Sequence, residues 1–583
     1  ELASLRWAAA VAAAVAAGMA FAALRAARVP IFQAPDEDTH FDYVISVATA
    51  GRPLFAGERP VAELTGQSPF APYSHPYTWH LALHTRTFDI RFHPERKAPR
   101  GYGSREFFDA VERTAPVLHG LPPRLPWLVT RYPLGYYGLA GLWTALWGKV
   151  FPGVVAAFFL ARSFSIVLLG VGLVAGYGVL RALRCPRGVA LGLIAALGCF
   201  PLSSFVGSYV QSDNLGFAAA PLALWAALRL RRQPAVEASR GQLLLAGATL
   251  ALLLLSKYHV FLTVGLPILA MLAVHHAATS GRARADVRKT RKDVRKTRKD
   301  VKKTRKDVKK KRRHGVAGAA PWRSWARWTL LLLGPPLLAL GLQLVVEAGR
   351  PEWTGTTEGI SKTKGILAQP VGDRAGYAVR ASLVALSEFF SDRAPSSPGG
   401  PFKTFWYAFG WADMKLAIVS PAVQRAIVQV VQLVTVSLLV LILVRLGQAW
   451  AAIVRAWRSG RRGRALRLLT GNPLLNAYLL YVGVMVVLFV LLGKKFGFQG
   501  RHWFTVLLAI FWAGVCFAPR CLPSRRWSRR VTGALLGMAL AYSLVGGFWS
   551  LRAIDDRYYS GAGDSDDDRT TTEDLHAFVA ARK

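Results

Sequence analysis

The sequence predicts an all-α integral membrane protein, a bundle of about eleven transmembrane helices with two large extracytoplasmic loops. Three observations predict it. The 583 residues are 52% hydrophobic but only 18% charged, below the roughly one quarter usual in soluble domains. Apolar runs recur, each near the roughly 20 residues that carry a helix across about 30 Å of hydrocarbon, where backbone polar groups find no outside partner. Lys and Arg gather between those runs, at 181–187, 229–232, 282–327, 445–467 and 520–530. A net charge of +41 on a soluble chain would point to nucleic acid. Concentrated in short loops, it follows the positive-inside rule instead and argues against a nucleic-acid partner.

The first run, 5–24, is too long for the core of a signal peptide and is expected to be an anchor. Further spans are expected at 154–180, 189–205, 215–230, 243–255, 260–274, 328–346, 427–443, 474–492, 503–517 and 531–549. Two stretches need an argument. The aromatic run 132–147 is short and opens on Pro133; as a span it would carry the basic loop 181–187 outside, so it is expected to lie in the outer interface, where Tyr and Trp are favoured. The run 243–274 is too long for one helix and short for two. One helix would expel the basic stretch beyond it, so a hairpin is expected, with Ser256-Lys257-Tyr258-His259 at its outer tip.

The chain therefore divides into a first transmembrane helix (1–27), an extracytoplasmic loop with interfacial helices (28–150), spans two to six (151–278), a basic cytoplasmic insert (279–326), span seven (327–347), a second extracytoplasmic loop (348–422), spans eight to eleven (423–551) and an acidic extracytoplasmic tail (552–583). The insert holds four heptads, Asp286-Val-Arg-Lys-Thr-Arg-Lys and its variants to Arg313, with a Val/Thr stripe too weakly apolar for a coiled coil. A solvated helix is the plain reading, and attraction to anionic headgroups the functional one. The tail's Asp564-Ser565-Asp566-Asp567-Asp568 lacks the glycine and the final acidic residue of a calcium loop. Cys185, Cys199, Cys516 and Cys521 fall in spans or basic loops, which implies no external disulfide, and their spacing gives no zinc site. His75, His80 and His84 lack any HExxH-like companion, so no metal is expected there.

Chemistry concentrates at two places. After the first helix stands Gln33-Ala34-Pro35-Asp36-Glu37-Asp38-Thr39-His40. Acidic residues behind a proline suit the first turn of a helix and its positive end, which is the structural reading. At the mouth of a membrane bundle, Asp36 and His40 at i, i+4 would also share a face, and such a carboxylate can serve as a general base. Near the end stands Lys494-Lys495-Phe496-Gly497-Phe498-Gln499-Gly500-Arg501, a basic cluster on the outer side, against the charge rule. The cations there can snorkel to headgroups or bind an anion such as phosphate, for which Arg501 offers a fork of donors. Lys257 lies at the same expected depth; Asp213 can simply cap the following helix.

Together these marks resemble the GT-C superfamily of membrane glycosyltransferases, and within it a bacterial family of predicted membrane proteins. The resemblance rests on Pro35-Asp36-Glu37 with His40, Pro133-Leu134 followed by Tyr136-Tyr137, Ala161-Arg162, Ser212-Asp213-Asn214, Ser256-Lys257-Tyr258, Phe405-Trp406 with Phe409-Gly410-Trp411, and Gln499-Gly500-Arg501. Two features depart from it: Arg131-Tyr132-Pro133 stands where the family has His-Pro-Pro, and the heptad insert is foreign to it. The resemblance implies an inverting transfer of a sugar from a polyprenyl-phosphate carrier to an extracytoplasmic cell-envelope glycan, lipid or protein, in the plasma membrane of a bacterium. It implies Asp36 as base, Glu37 orienting the acceptor, and Asp38, His40 and Asp213 on the acceptor side or in support. Arg501, Lys257, Lys494 and Gln499 would hold the carrier phosphate. A divalent cation is compatible with this chemistry, and no other cofactor is implied. The alternatives are a transporter or flippase of a lipid-linked glycan, which should show broken helices and polar residues at mid-membrane, and a polysaccharide polymerase or ligase.

Overall fold

The computed structural model describes residues 2–50, 76–87, 90, 97–115, 133–233, 238–279, 321–348, 408–409, 414–415, 421–492 and 504–559. Among them the chain is helical apart from one short antiparallel pair, Ala408–Phe409 with Met414–Lys415. The basic heptads, the acidic tail from residue 560 on, almost all of the second large loop, and Lys494, Gln499 and Arg501 lie outside the described residues.

Among the described residues, seven helices are long and apolar enough to cross a membrane: Ser4–Arg28 within α1 (Leu2–Arg28), α6 (Val154–Ala182), α11 (Tyr258–Thr279), Ala326–Leu344 within α12 (Pro321–Ala348), Leu433–Arg458 within α13 (Pro421–Arg458), α16 (Phe504–Cys521) and α17 (Arg525–Tyr558). The other four expected spans also fall on helices, but shorter or interrupted ones. The run 189–205 is broken into α7 (Arg187–Cys199) and α8 (Pro201–Val206), because Pro201 pushes Phe200 out of the helical region to φ −58°, ψ 130°. The run 215–230 lies in α9 (Asp213–Leu230), with Pro221 inside; 243–255 lies in α10 (Arg240–Ser256), and 474–492 in α15 (Pro473–Leu492). The non-spanning helices are α2 (Glu37–Ala50), α3 (Pro76–His84), α4 (Arg105–Arg113), α5 (Gly135–Gly148) and α14 (Arg462–Leu469).

Helix α6 is the axis of the core, packed against α1, α5, α7 and α9. Small residues allow the close approaches that helices use in lipid, where dispersion rather than water exclusion drives packing. A Cβ on Gly18 of α1 would sit 2.8 Å from the Gly198 Cα of α7, and one on Gly172 would sit 2.5 Å from the Phe217 ring of α9. Leucines at the lipid-facing positions stay exposed, as Leu337, Leu338 and Leu433 do.

The two ends of the bundle differ sharply. At one end the basic loops meet: Arg232 donates to the carbonyls of Arg181 and Ala182, Arg231 to Gly471, and Arg327 to Ala238, while Cys185 touches Cys516. Gln233 joins both Gln242 and His275 at this end, so 243–274 doubles back as the expected hairpin, with Lys257 at its far tip. At the other end stand the beginnings of α6 and α9, the Lys257 tip and the ends of α1 and α17, tied by Arg28 to Asp555 and by the Tyr559 hydroxyl donating to the Arg28 carbonyl at 2.8 Å. Helix α5 starts and finishes at this second end: Gly135 lies against Leu255, two residues before the tip, and the helix leads directly into the start of α6. It therefore does not cross, and one side, with Leu142 and Leu146, stays exposed while Tyr136, Tyr137 and Ala140 are buried.

Candidate functional site

The acidic turn after α1 is built under strain. Phe32 and Asp36 both take left-handed backbone conformations, at φ 62° and φ 58°, which side chains other than glycine rarely adopt. For Phe32 the compensation is burial: its ring packs 5.7 Å from Phe41 and 5.2 Å from Phe158, centroid to centroid. Asp is among the residues that tolerate this region. The Asp36 carbonyl accepts the His40 amide at 3.1 Å and the Thr39 hydroxyl at 2.8 Å, so Asp36 closes the start of α2. The helix itself begins at Glu37. Asp36 therefore stands immediately before the first helical residue, and its carbonyl makes the first i, i+4 bond of α2, to the His40 amide. Within the triplet, Glu37 and Asp38 are buried and Asp36 alone is part-exposed.

Glu37, expected to meet an acceptor, turns inward. Its carboxylate takes a fork from Arg162 of α6, Nε to Oε1 at 2.8 Å and Nη2 to Oε2 at 2.7 Å, and Oε1 also accepts the Val210 amide at 3.1 Å. The remaining donors of Arg162 reach the carbonyls of Ala26, Val29 (2.7 Å) and Pro30 (3.2 Å), and its guanidinium lies 4.5 Å from the Phe158 ring centre. The last carbonyls of a helix lack partners within it, and here Arg162 supplies them for α1. One side chain therefore ties the end of α1, the strained turn, α2 and the segment before α9 to the central helix. Arg162 is the residue that sequence reasoning underrated; the available signal was a charge within an apolar span, which lipid makes expensive.

Around this strut stand the tyrosines of α5. The Tyr137 hydroxyl is 2.7 Å from His40 Nδ1 and its ring stacks 4.5 Å from Tyr43. The Tyr136 hydroxyl accepts the Gln211 amide at 3.1 Å and is also hydrogen-bonded to Ser165 Oγ at 2.7 Å. Tyr102 accepts the Ile31 amide at 2.7 Å. Burial pushes both the Tyr102 and Tyr136 phenols above the usual value of 10, which keeps them protonated.

The Gln211–Asn214 segment and the hairpin tip meet a few residues away. Lys257, extended between α10 and α11, pairs with Asp213 at 2.5 Å, with both side chains largely buried. Gln211 donates to the same carboxylate. Asp213 is the first residue of α9 rather than its cap, which is Ser212 with no side-chain cap bond, and its charge is favoured at that positive helix end. Lys257, expected to meet a phosphate, thus already holds a carboxylate. The side-chain oxygens of Gln211, Ser212 and Asn214 are buried with no hydrogen-bond partner among the described residues. His259 and Tyr481 flank the tip, their rings 6.0 Å apart.

Protein-family models, curated proteins and solved structures give no match to this chain. The site is therefore read from its own geometry. Of the expected residues, the structure gathers Asp36, Glu37, Asp38, His40, Asp213 and Lys257 at one end of the bundle, linked through Val210 and Gln211. The remaining three, Arg501, Lys494 and Gln499, lie outside the described residues. The described chain resumes at Phe504, whose ring stacks flat on Phe217 at 4.3 Å, one helical turn from Asp213. Among the described residues no three His, Cys, Asp or Glu side chains converge as metal ligands.

Proposed function

We propose that this chain is an inverting glycosyltransferase of the membrane, moving a sugar from a polyprenyl-phosphate carrier to an acceptor hydroxyl on the extracytoplasmic face of a bacterial plasma membrane. The observation that carries the reading is the acidic turn: one part-exposed carboxylate, Asp36, on a backbone held rigid by a buried arginine, at the end of the bundle away from the basic loops. The positive-inside rule makes that end the outer one. A lipid-linked donor is already in the bilayer there.

In this mechanism Asp36 removes the proton of the acceptor hydroxyl as that oxygen attacks the anomeric carbon. The bond to the carrier phosphate breaks on the opposite side, and a single displacement inverts the centre. Charge gathering on the leaving phosphate calls for preorganised cations; Lys257 is one, presented by Asp213, and Arg501 and Lys494 complete the set, with Gln499 as a neutral donor. Glu37 acts through Arg162 as a positioning residue rather than on the acceptor, since its oxygens are already bonded. Asp38 and His40 support the turn and Tyr137.

The experiment is transfer of a radiolabelled sugar from a short-chain polyprenyl phosphate to envelope acceptors in proteoliposomes, comparing the wild type with Asp36→Asn. Loss of transfer by at least about a hundredfold, with folding retained, is expected of a missing general base. Unchanged transfer removes Asp36 from the chemistry. A second reading, flipping of a lipid-linked glycan, is favoured by the π-helical stretches Phe261–Gly265 and Ala513–Phe517, which interrupt two spans. Scrambling of a labelled lipid-linked glycan across the bilayer without bond cleavage would select it. Polymeric product on a diphosphate carrier would select the polymerase or ligase reading.

A further inference from the structure

A pair of thiols at the basic end plays no part in this scheme. Cys185, in the turn after α6, and Cys516, on α16, have their sulfurs 3.2 Å apart, and both are buried. The two are 331 residues apart in sequence, so the contact is a product of the fold. Arg181 donates to the Cys185 carbonyl, and the positive charges of Arg181 and Arg520 act on the Cys185 thiol.

We propose that Cys185 and Cys516 form a dithiol that a hydroperoxide converts to a disulfide, a redox clasp between the turn after α6 and helix α16. The separation argues for a bond rather than a metal. Two thiolates on one tetrahedral ion at about 2.3 Å each would stand about 3.8 Å apart, whereas the sulfurs at 3.2 Å must close by only about 1.2 Å to reach the length of a disulfide. The chemistry also has an identified nucleophile. The hydrogen bond with Cys516, aided by the two arginines against the effect of burial, lowers the Cys185 thiol below its usual value. Cys185 as thiolate attacks the peroxide oxygen, giving a sulfenic acid and releasing an alcohol, or water when the oxidant is hydrogen peroxide. The Cys516 sulfur then displaces water from that sulfenic acid. In sum two thiols and one hydroperoxide become one disulfide, one alcohol and one water, with the sulfurs oxidised and the peroxide bond reduced. Lipid hydroperoxides in the bilayer and hydrogen peroxide in water share this chemistry. The proposal is independent of the glycosyltransferase reading.

The test uses the purified full chain in nanodiscs, treated separately with hydrogen peroxide and with a phospholipid hydroperoxide, then denatured in a maleimide and mapped by mass spectrometry. The expected result is a Cys185–Cys516 linked peptide with two of the four cysteines protected, reversed by dithiothreitol, together with a rise in Tm. Response to the phospholipid hydroperoxide alone would identify the bilayer as the source, and response to hydrogen peroxide the aqueous phase. Cys516→Ser, which keeps a hydrogen-bonding group beside Cys185 but removes the second sulfur, should leave Cys185 as a sulfenic acid trappable by dimedone and abolish the rise in Tm, which also shows that a stable variant still carries the nucleophile. Linkage of Cys185 to Cys521, or Cys185 and Cys516 both still alkylated after peroxide has oxidised Cys521, overturns the proposal.

Discussion

Replacing Arg162 with Ala removes the strut of the site, and its cost follows from what the side chain touches. Five donor contacts vanish, two to Glu37 and three to the carbonyls of Ala26, Val29 and Pro30, along with packing over Phe158. Glu37 is completely buried, so its charge is left without a cation; breaking one side of a buried ion pair costs about 3–5 kcal/mol. Arg162→Lys keeps the charge but loses the fork and should recover only part of that. The double variant Glu37→Gln/Arg162→Gln removes both charges, and its loss should be smaller than the sum of the single losses by about 2 kcal/mol, within the range found for contacting residues. The assay is reversible unfolding of the full chain in mixed micelles, titrated with denaturing detergent, with hydrogen exchange over residues 26–50 as the local readout. Strict additivity of the two substitutions, or Arg162→Ala within about 0.5 kcal/mol of the wild type, would falsify the strut.

Other perturbations reach the same region. Tyr102→Phe leaves the Ile31 amide without its buried acceptor and should destabilise the turn by about 1–3 kcal/mol, seen as faster exchange of that amide; unchanged protection there excludes the bond as a restraint. Gly18→Val forces α1 away from α7, because a Cβ already falls 2.8 Å from the Gly198 Cα; a loss of about 1–3 kcal/mol is expected, and wild-type stability would contradict the packing. His80 is held below its usual 6.5 chiefly by burial, partly opposed by its bond to the Val111 carbonyl and by Glu112. Its neutral form therefore stabilises the fold fully above pH 6.5, and that contribution is lost as the pH falls toward the depressed value. Protection of Pro76–His84, taken relative to the intrinsic amide exchange rate at each pH, should fall between pH 7.5 and pH 5 in the wild type and respond less in His80→Gln; equal protection at both pH values would refute this.

What the sequence made legible followed from strong, local signals. Hydrophobic run length and loop charge located the helices, and the charge rule alone suggested that 132–147 lies along one end and that 243–274 turns back at Lys257; the Gln233 bonds show the turning back, and the Gly135–Leu255 contact puts the start of α5 beside that tip. The acidic turn and Asp213 stood out as polar exceptions in an apolar chain, and they lie at the same end of the bundle. The pairings were not legible. Nothing in residue spacing says that Glu37 belongs to Arg162, 125 residues away, or Cys185 to Cys516. A carboxylate triplet reads as three equivalent acids until the backbone is seen, and it is the left-handed conformation at Asp36 that leaves one of them part-exposed while its neighbour turns inward.

The same difficulty attaches to Lys257, whose bond to Asp213 admits both a structural and a functional meaning, and the two can be separated. Lys257→Met alone leaves the Asp213 carboxylate buried without its cation, so weakened folding and weakened donor binding would arrive together and decide nothing. Asp213→Asn/Lys257→Met removes both charges and keeps the Gln211 side chain a hydrogen-bond partner at the head of α9. Replacing a buried pair by neutral groups is often close to neutral for stability, so this variant should unfold near the wild type. If Lys257 serves only the hairpin tip, the double variant should also transfer sugar with the wild-type KM. If it meets the leaving phosphate, KM for a polyprenyl-phosphate sugar should rise about tenfold or more, the loss of a single charge-assisted contact of about 1.4 kcal/mol or more, and kcat should fall as well because the phosphate gains charge at the transition state. A stable double variant with both constants unchanged would leave Lys257 a structural residue and place the phosphate contact elsewhere on the chain.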